Sequence, residues 1–249
     1  MSLLQILHTL KCAPRYLAIV LLSVFFAVDA SAQSWQPKPF KAEYVLTKGG
    51  LILGEVTREL KRVGVTDKFV YKSTSHSSGF MSFFIKDKII EQSVWILRDA
   101  NLKPLEYFYS RSGGKKQRKV NLSFDWRQKR VSNLIAQDQW TMTIPDNAQD
   151  KLLYQLTLMR DLQNDRSELA YLIPDRGELK IYRFDRLQEE DIDTPLGKLH
   201  TIALQWSRDD RVTKLWCAPE YNYLPVQIEQ EENGQLLNLT LKAITGLPQ

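Results

Sequence analysis

The feature that most constrains this chain is a long succession of short segments in which apolar and polar residues alternate. Examples are FKAEYVLT from Phe40 and HTIALQW from His200, in which Ile202, Leu204 and Trp206 fall on one face. Alternation with period two puts neighbouring side chains on opposite faces of a β-strand. About a dozen such segments follow one another, separated by Gly, Asn, Asp or Pro. The pattern predicts a mainly β protein built on one large curved antiparallel sheet or an incomplete β-barrel.

One segment departs from this period and predicts a single amphipathic helix. Residues 146–162 read DNAQDKLLYQLTLMRDL, and three apolar residues recur in them at helical spacing, namely Leu152, Leu156 and Met159. Asp146 with Gln149 three residues later has the pattern of a capping box, and Pro145 ends the strand before it. We therefore predict a helix over about 147–163, packed through its apolar face on the concave side of the sheet.

Residues 1–32 have the three parts of a secretory signal peptide. Lys11 and Arg15 supply positive charge, residues 16–28 are an uninterrupted apolar run, and Ala30-Ser31-Ala32 offers small residues for cleavage. The thirteen residues of the apolar run, at about 1.5 Å each, are shorter than a hydrocarbon core of about 30 Å. We therefore expect cleavage near Ala32, export of the product, and a single β-rich domain over residues 33–249.

The exported chain has neither a disulfide nor a strong overall charge. Loss of the leader lowers the formal net charge from +5 to +4, because Lys11, Arg15 and Asp29 are removed with it. Cys217 is then the one cysteine left, so no internal disulfide can form. Its neighbours Leu215 and Trp216 indicate a small buried hydrophobic residue and not a catalytic thiol. Stability must therefore come from a hydrophobic core.

The positive charge is concentrated in one predicted hairpin. Residues 111–130 contain eight basic residues and one acidic residue. Export argues against nucleic acid as the partner, whereas anionic lipid headgroups or acidic glycans would suit such a cluster. A solvated hairpin, in which lysines keep an edge from pairing with other chains, explains the same composition. The candidate anion-facing residues are Lys115, Lys116, Arg118 and Lys119.

Catalytic motifs do not emerge from the sequence. After the leader, the histidines are His76 and His200, which lie in different strand segments. The spacings of zinc ligands, a Gly-x-Ser-x-Gly turn and a glycine-rich phosphate loop are all missing. We therefore predict a protein that is not an enzyme and needs no metal or cofactor. A hydrolase that uses His76 or His200 is the third hypothesis.

The sequence resembles an exported bacterial family called domain of unknown function 3108. The resemblance extends over nearly the whole chain after the leader, and its most specific motifs are QDKLLYQLTLMRDL, TPLGKLHTI and LWCAPEYNYLPVQIEQEENG. The family implies no catalytic residues, because no activity is established for it. The last motif is also similar to the ending of carriers that move lipoproteins across the periplasm. That similarity implies a half-open β-barrel with a helical lid over an apolar cavity.

The leading hypothesis is a periplasmic binding protein that holds a lipid or another amphipathic ligand in the concavity of its sheet. Packing alone would also explain its candidate ligand-binding residues, which are Phe80, Met81, Phe83, Phe84, Leu152, Leu156, Met159, Trp206 and Trp216. The first four lie in residues 79–85, where the aromatic density indicates an irregular or helical turn. The alternative is an envelope-assembly adaptor that binds a protein partner or an acidic glycan through the basic hairpin. We expect a monomer that does not bind nucleic acid, and leave a peripheral membrane contact open.

Overall fold

Fourteen strands form one antiparallel sheet in the computed structural model of the chain, which describes residues 35–78, 87–114, 117–208, 211–232 and 234–247. The predicted signal peptide, Phe80, Met81, Phe83, Phe84, Lys115 and Lys116 lie outside the described residues. The strands are β1 (Phe40–Lys48), β2 (Leu51–Arg62), β3 (Lys68–Ser77), β4 (Lys88–Arg98), β5 (Asn101–Ser112), β6 (Arg118–Asp125), β7 (Arg130–Asn133), β8 (Trp140–Thr143), β9 (Leu169–Asp175), β10 (Glu178–Thr194), β11 (Gly197–Arg208), β12 (Arg211–Ala218), β13 (Leu224–Glu232) and β14 (Gln235–Thr245).

Nearly every strand pairs with the strand that follows it in the chain. The order across the sheet is β8-β7-β6-β5-β4-β3-β2-β1-β14-β13-β12-β11-β10-β9, so β1 and β14 meet in the middle. The two free edges are β8 and β9, and the sheet does not close into a barrel. The predicted fold class, a large antiparallel sheet with one helix on its concave side, is confirmed.

Tight turns explain why consecutive strands pair. Gly49 and Gly50 have φ values of 55° and 80° and join β1 to β2. Two residues with positive φ form the turn that matches the twist of a hairpin, and glycine adopts this conformation without a steric penalty. Arg176 and Gly177, with φ values of 57° and 78°, make the same kind of connection between β9 and β10.

The alternation in the sequence becomes a buried face and an exposed face. On β2 the buried residues are Gly54, Val56, Arg58 and Leu60, each separated from the next by a half-buried residue. The core side chains form two clusters. The larger cluster contains Tyr44 and Trp95, and the second contains Tyr171 and Trp206.

Helix α1 occupies Tyr154–Gln163, so its predicted start at about residue 147 is wrong. The Gln149 N–H donates to the Leu172 carbonyl at 2.8 Å, which holds the chain extended against β9 where the helix was expected. Asp146 is exposed and pairs with Lys129 at 2.8 Å instead of capping the helix. Asp150 instead caps the turn that leads into the helix, because its Oδ1 accepts from the N–H groups of Leu152 at 2.8 Å and Leu153 at 2.7 Å.

The two edges of the sheet come close together. Ala148 forms a parallel bridge with Leu172, so the segment that leaves β8 runs along β9. A Cβ atom on Gly177, just after β9, would lie 3.9 Å from the Cβ atom of Trp140 on β8. We call the gap between β8 and β9 the seam.

The part of the chain that the structure describes contains no helix long and apolar enough to cross a membrane.

Candidate functional site

A cavity of about 280 Å³ lies at the seam. Its first wall comes from β4, β5, the part of β6 after Arg118, and β8 with the segment that leads into it. Its second wall comes from the Arg118 side chain, the segment before α1, the end of β9 with the β9–β10 turn, and the start of β12. Residues far apart in the chain therefore meet here only because the sheet curls until its edges approach each other. We call it the seam cavity.

The first wall is largely apolar and aromatic. Val120 and Leu122 on β6 line the cavity with Trp140 of β8, and Tyr107 and Tyr109 on β5 line it beside them. The register places Tyr109 opposite Val120 and Tyr107 opposite Leu122, so these four side chains share the concave face. Tyr107 and Leu122 are buried, so the surface on which a hydrocarbon chain or a ring can pack comes from the half-buried Tyr109, Val120 and Trp140.

The second wall is centred on Asp175, the last residue of β9. Its Oδ1 lies 2.6 Å from Lys151 Nζ and 4.0 Å from an Arg118 guanidinium nitrogen, and its Oδ2 lies 2.7 Å from Lys180 Nζ. Burial would raise the pKa of Asp175, but the hydrogen bonds from Lys151 and Lys180 outweigh it and lower the pKa to about 2. Burial also lowers the pKa of Lys151, against the opposing effect of Asp175. Three cations thus share one carboxylate.

Two guanidinium groups and two further carboxyl groups complete the polar lining. Arg176 lies in the β9–β10 turn and Arg211 at the start of β12. Asp138 is exposed, and its Oδ2 accepts from Asn133 Nδ2 at 3.3 Å. Glu91 on β4 is half-buried, and its Oε1 accepts a hydrogen bond from the Tyr107 hydroxyl. Burial raises the pKa of Glu91 above its ordinary value.

A buried polar network lies behind this cavity. The Ser93 hydroxyl donates to Asp150 Oδ2 at 2.5 Å, while Asp150 Oδ1 accepts from the first backbone N–H groups leading into α1. Burial raises the pKa of Asp150 to about 7, and the charge of Glu91 adds to the rise. The network fixes the segment that carries Lys151 relative to β4.

The five described apolar residues proposed as ligand contacts lie in the core. Leu152, Leu156, Met159 and Trp216 belong to the larger cluster, and Trp206 belongs to the second. None of the five lines the seam cavity. Packing is the alternative that the sequence left open for them, and their contact with a ligand stays a prediction.

The basic cluster is divided between the two faces of the sheet. Arg118 is half-buried and lines the seam cavity, whereas its neighbour Lys119 is exposed. Arg111 forms an ion pair with Asp87. The alternation of β6 explains why adjacent basic residues face opposite sides.

The histidines and the cysteine lie in separate places. His200 is exposed on β11, with its Nδ1 3.1 Å from Asp191 Oδ1, and His76 is exposed on β3. Cys217 is fully buried in the second core cluster, and burial raises the pKa of its thiol. Among the described residues, no group of three or more His, Cys, Asp or Glu side chains could hold a metal ion.

Most residues of the seam cavity are not evident from the sequence. Lys151 is an ordinary polar position in the predicted helix, and Asp175, Arg176 and Trp140 lie in turns or short strands without a motif. Only Arg118 is indicated in advance, through the concentration of charge around it. The cavity forms by closure of the seam, which depends on long-range curvature and not on a local pattern.

Comparisons with known proteins agree on the fold. A crystal structure of a β-barrel-like protein of domain of unknown function DUF1849 from Brucella abortus matches 84% of this chain and 98% of its own chain, with a TM-score of 0.55 and 8% sequence identity. At that identity the likeness concerns the fold alone. A comparison with curated proteins gives no match. The family model for proteins of unknown function DUF3108 matches residues 40–242, which confirms the predicted resemblance. The chain therefore belongs to the DUF3108 family.

Proposed function

We propose that this chain is a periplasmic binding protein without enzymatic activity, and that it holds a lipid or another amphipathic ligand on the concave side of its sheet. The observation that carries the proposal is the seam cavity, in which an apolar aromatic wall faces a cationic wall. A ligand with an apolar part and an anionic part would satisfy both walls at once. The signal-peptide pattern of residues 1–32 supports export.

The size of the cavity indicates how much of a ligand it could hold. Its volume of about 280 Å³ lies just below the range of roughly 300–1,000 Å³ for small-molecule pockets. A headgroup with the first part of an acyl chain would fit such a volume. The remainder of a long chain would have to lie along the concave face or in solvent.

The chemistry of the polar groups favours binding over catalysis. Ser93 and Asp150 form a hydroxyl and carboxyl pair, but the other oxygen of Asp150 is occupied by two backbone N–H groups. Both side chains are fully buried, so the pair holds the segment before α1 in place and lies out of reach of a substrate. Lys151 and Lys180 are oriented toward Asp175, which gathers positive charge at one side of the cavity.

The adaptor hypothesis is less well supported by the arrangement of the basic hairpin. Arg111 is paired with Asp87, and Arg118 is directed toward Asp175 within the seam cavity. Because carboxylates within the protein pair with these two arginines, less positive charge is available on the outer surface for an acidic partner. The described basic residues therefore favour a ligand inside the seam.

Native mass spectrometry of protein purified from the periplasm of its own host tests the proposal. We expect an adduct of lipid mass on the wild-type chain. Val120→Trp should remove the adduct because it fills the cavity, whereas Lys119→Trp, on the other face of the same strand, should keep it. The same adduct on both variants, or an unliganded wild-type chain that also fails to bind added acyl probes, would overturn the proposal.

A further inference from the structure

We infer that the second wall of the seam cavity recognises an oxyanion headgroup, a phosphate or a carboxylate, attached to an apolar chain. This inference rests on the proposed function and assigns a ligand class to the same cavity. It follows from the balance of charge at Asp175 and from the apolar surface beside it.

The charge around Asp175 is not balanced. Lys151 and Lys180 lie within 2.7 Å of its two oxygens, and Arg118 lies 4.0 Å from one of them. One negative charge therefore faces three positive charges, which leaves an excess of two. Attraction between opposite charges is stronger in a partly buried site than in water, because the local dielectric constant is lower. An incoming anion would be stabilised by the cations that Asp175 alone does not neutralise.

The turn after β9 adds a further cation to this wall. Arg176 has a φ of 57°, a left-handed conformation that costs a residue with a side chain roughly 1–2 kcal/mol. The two-residue turn requires this conformation to reverse the chain, and it places Arg176 among the residues that line the cavity. Arg211 from β12 lines the same space.

The carboxyl groups of the lining are directed to partners within the protein. Glu91 accepts from the Tyr107 hydroxyl, Asp138 accepts from Asn133, and Asp175 accepts from the two lysines. Four cationic side chains and three carboxyl groups line the cavity. Lys180 is not among the lining residues, but it adds a positive charge through its ion pair with Asp175. The excess of positive over negative groups favours the binding of an anion in the cavity.

The apolar surface next to these cations defines the rest of the ligand. Val120, Leu122 and Trp140 line the same cavity of about 280 Å³ as Lys151 and Arg118. A free inorganic anion would leave that surface in contact with water. Burial of a hydrocarbon chain is worth about 0.8 kcal/mol for each CH₂ group, so an anion that carries a chain gains from both walls.

Calorimetric titration of the full exported chain with four probes tests this inference. The probes are dodecyl phosphate, dodecanoate, the neutral dodecyl maltoside and inorganic phosphate. We expect at least one of the two anionic amphiphiles to bind about tenfold or more tightly than dodecyl maltoside, as charged hydrogen bonds predict. The stronger of the two identifies the headgroup as a phosphate or a carboxylate. Inorganic phosphate should bind more weakly than either.

Variants of the two cations separate recognition from folding. Lys151→Gln with Arg118→Gln should weaken the preferred anionic amphiphile about tenfold or more and leave dodecyl maltoside unchanged. Lys119→Gln, next to Arg118 on the other face, should change neither. Lys151→Arg keeps the charge and should retain most of the preference. Thermal unfolding of each variant shows whether the fold is intact.

The two proposals fail in different ways. Equal affinity for dodecyl maltoside and both anionic amphiphiles, or no effect of the double substitution in a folded protein, would overturn the headgroup inference and leave the proposed function standing. Inorganic phosphate that binds as tightly as the preferred anionic amphiphile would also overturn it, because the hydrocarbon tail would then contribute nothing. Failure of every amphiphile to bind would overturn the proposed function itself.

Discussion

Ser93 on β4 and Asp150 before α1 are joined by a hydrogen bond of 2.5 Å between the serine hydroxyl and Asp150 Oδ2. The other carboxyl oxygen accepts the N–H groups of Leu152 and Leu153. One buried side chain therefore links the sheet to the start of the helix. Lys151, which faces the seam cavity, lies directly after it in the chain.

Asp150→Ala should destabilise the protein substantially. The change removes a side chain that accepts one hydroxyl and two backbone N–H groups in the interior. The loss of the cap on the turn before α1 and of a buried hydrogen bond together predicts a decrease of about 2–3 kcal/mol in the free energy of unfolding. Urea unfolding measures it, and Asp146→Ala, at the exposed position, is the matched control. A decrease at Asp146 as large as that at Asp150 would contradict the assignment of the cap.

The pKa of Asp150 predicts a dependence of stability on pH. The pKa of Asp150 is about 7 in the folded state, raised from an ordinary value of 3.8. Between pH 3.8 and pH 7 the folded state therefore keeps a proton on Asp150 that the unfolded state has released. The contribution to stability is present below pH 3.8 and is lost as the pH rises toward 7. Asp150→Asn lacks this titration and should lose less stability over the same range.

Urea unfolding of the wild type and of Asp150→Asn at several pH values between 4.5 and 7.5 tests this dependence. The stability of the wild type relative to the variant should fall as the pH rises, with a slope of at most about 1.4 kcal/mol for each pH unit. The raised pKa of Glu91 acts in the same direction in both proteins and largely cancels in the difference. A constant difference across the range would show that Asp150 does not titrate there.

Arg58 is a second buried charge, and its replacement should stabilise the fold. Its side chain is 8% exposed, and its Nε and Nη1 atoms have no hydrogen-bond partner among the described residues. The guanidinium lies 5.2 Å from the centre of the Tyr44 ring, which compensates only part of the cost of burial. Arg58→Met should raise the free energy of unfolding by about 1 kcal/mol or more. Lys61→Met, exposed on the same strand, should change it little, and a large loss at Arg58 would indicate a partner for its charge.

Substitution of Leu156 tests whether this residue is part of the core or contacts a ligand. It is 1% exposed in the larger core cluster, so Leu156→Ala should lower the free energy of unfolding by about 2–5 kcal/mol in the absence of any ligand. Leu134→Ala, at a side chain that is 54% exposed, should change it by less than about 0.5 kcal/mol. A small loss at Leu156, accompanied by weaker binding of an acyl probe, would instead support the ligand contact that the sequence predicts.

The sheet was predictable because its signal is local. Each strand carries its own alternation, and turns such as Gly49-Gly50 join consecutive strands, so neighbouring segments determine most of the pairing. The helix was predicted in kind but not in its start. The capping pattern of Asp146 and Gln149 is also local, but the helix does not begin there. The Gln149 N–H instead donates to the Leu172 carbonyl, a partner that is distant in the sequence.

The seam cavity was largely unpredictable for the opposite reason. Lys151 and Asp175 are 2.6 Å apart although more than twenty residues separate them in the chain, and no spacing rule connects the two. Trp140 and Gly177 approach each other only because the curvature of fourteen strands brings the edges together. Arg118 was indicated by its charged neighbours, although the adjacent Lys119 faces the other side.

The most direct test of the central claim is the position of a bound acyl ligand. A crystal of residues 33–249 grown with 12-bromododecanoic acid, and a second with the corresponding phosphate, would locate the hydrocarbon tail through the anomalous scattering of bromine. The account predicts a headgroup next to Lys151 and Arg118 in at least one of them, with its hydrocarbon chain against Val120 and Trp140. A well-ordered ligand found only away from the seam, with the cavity unchanged, would contradict it.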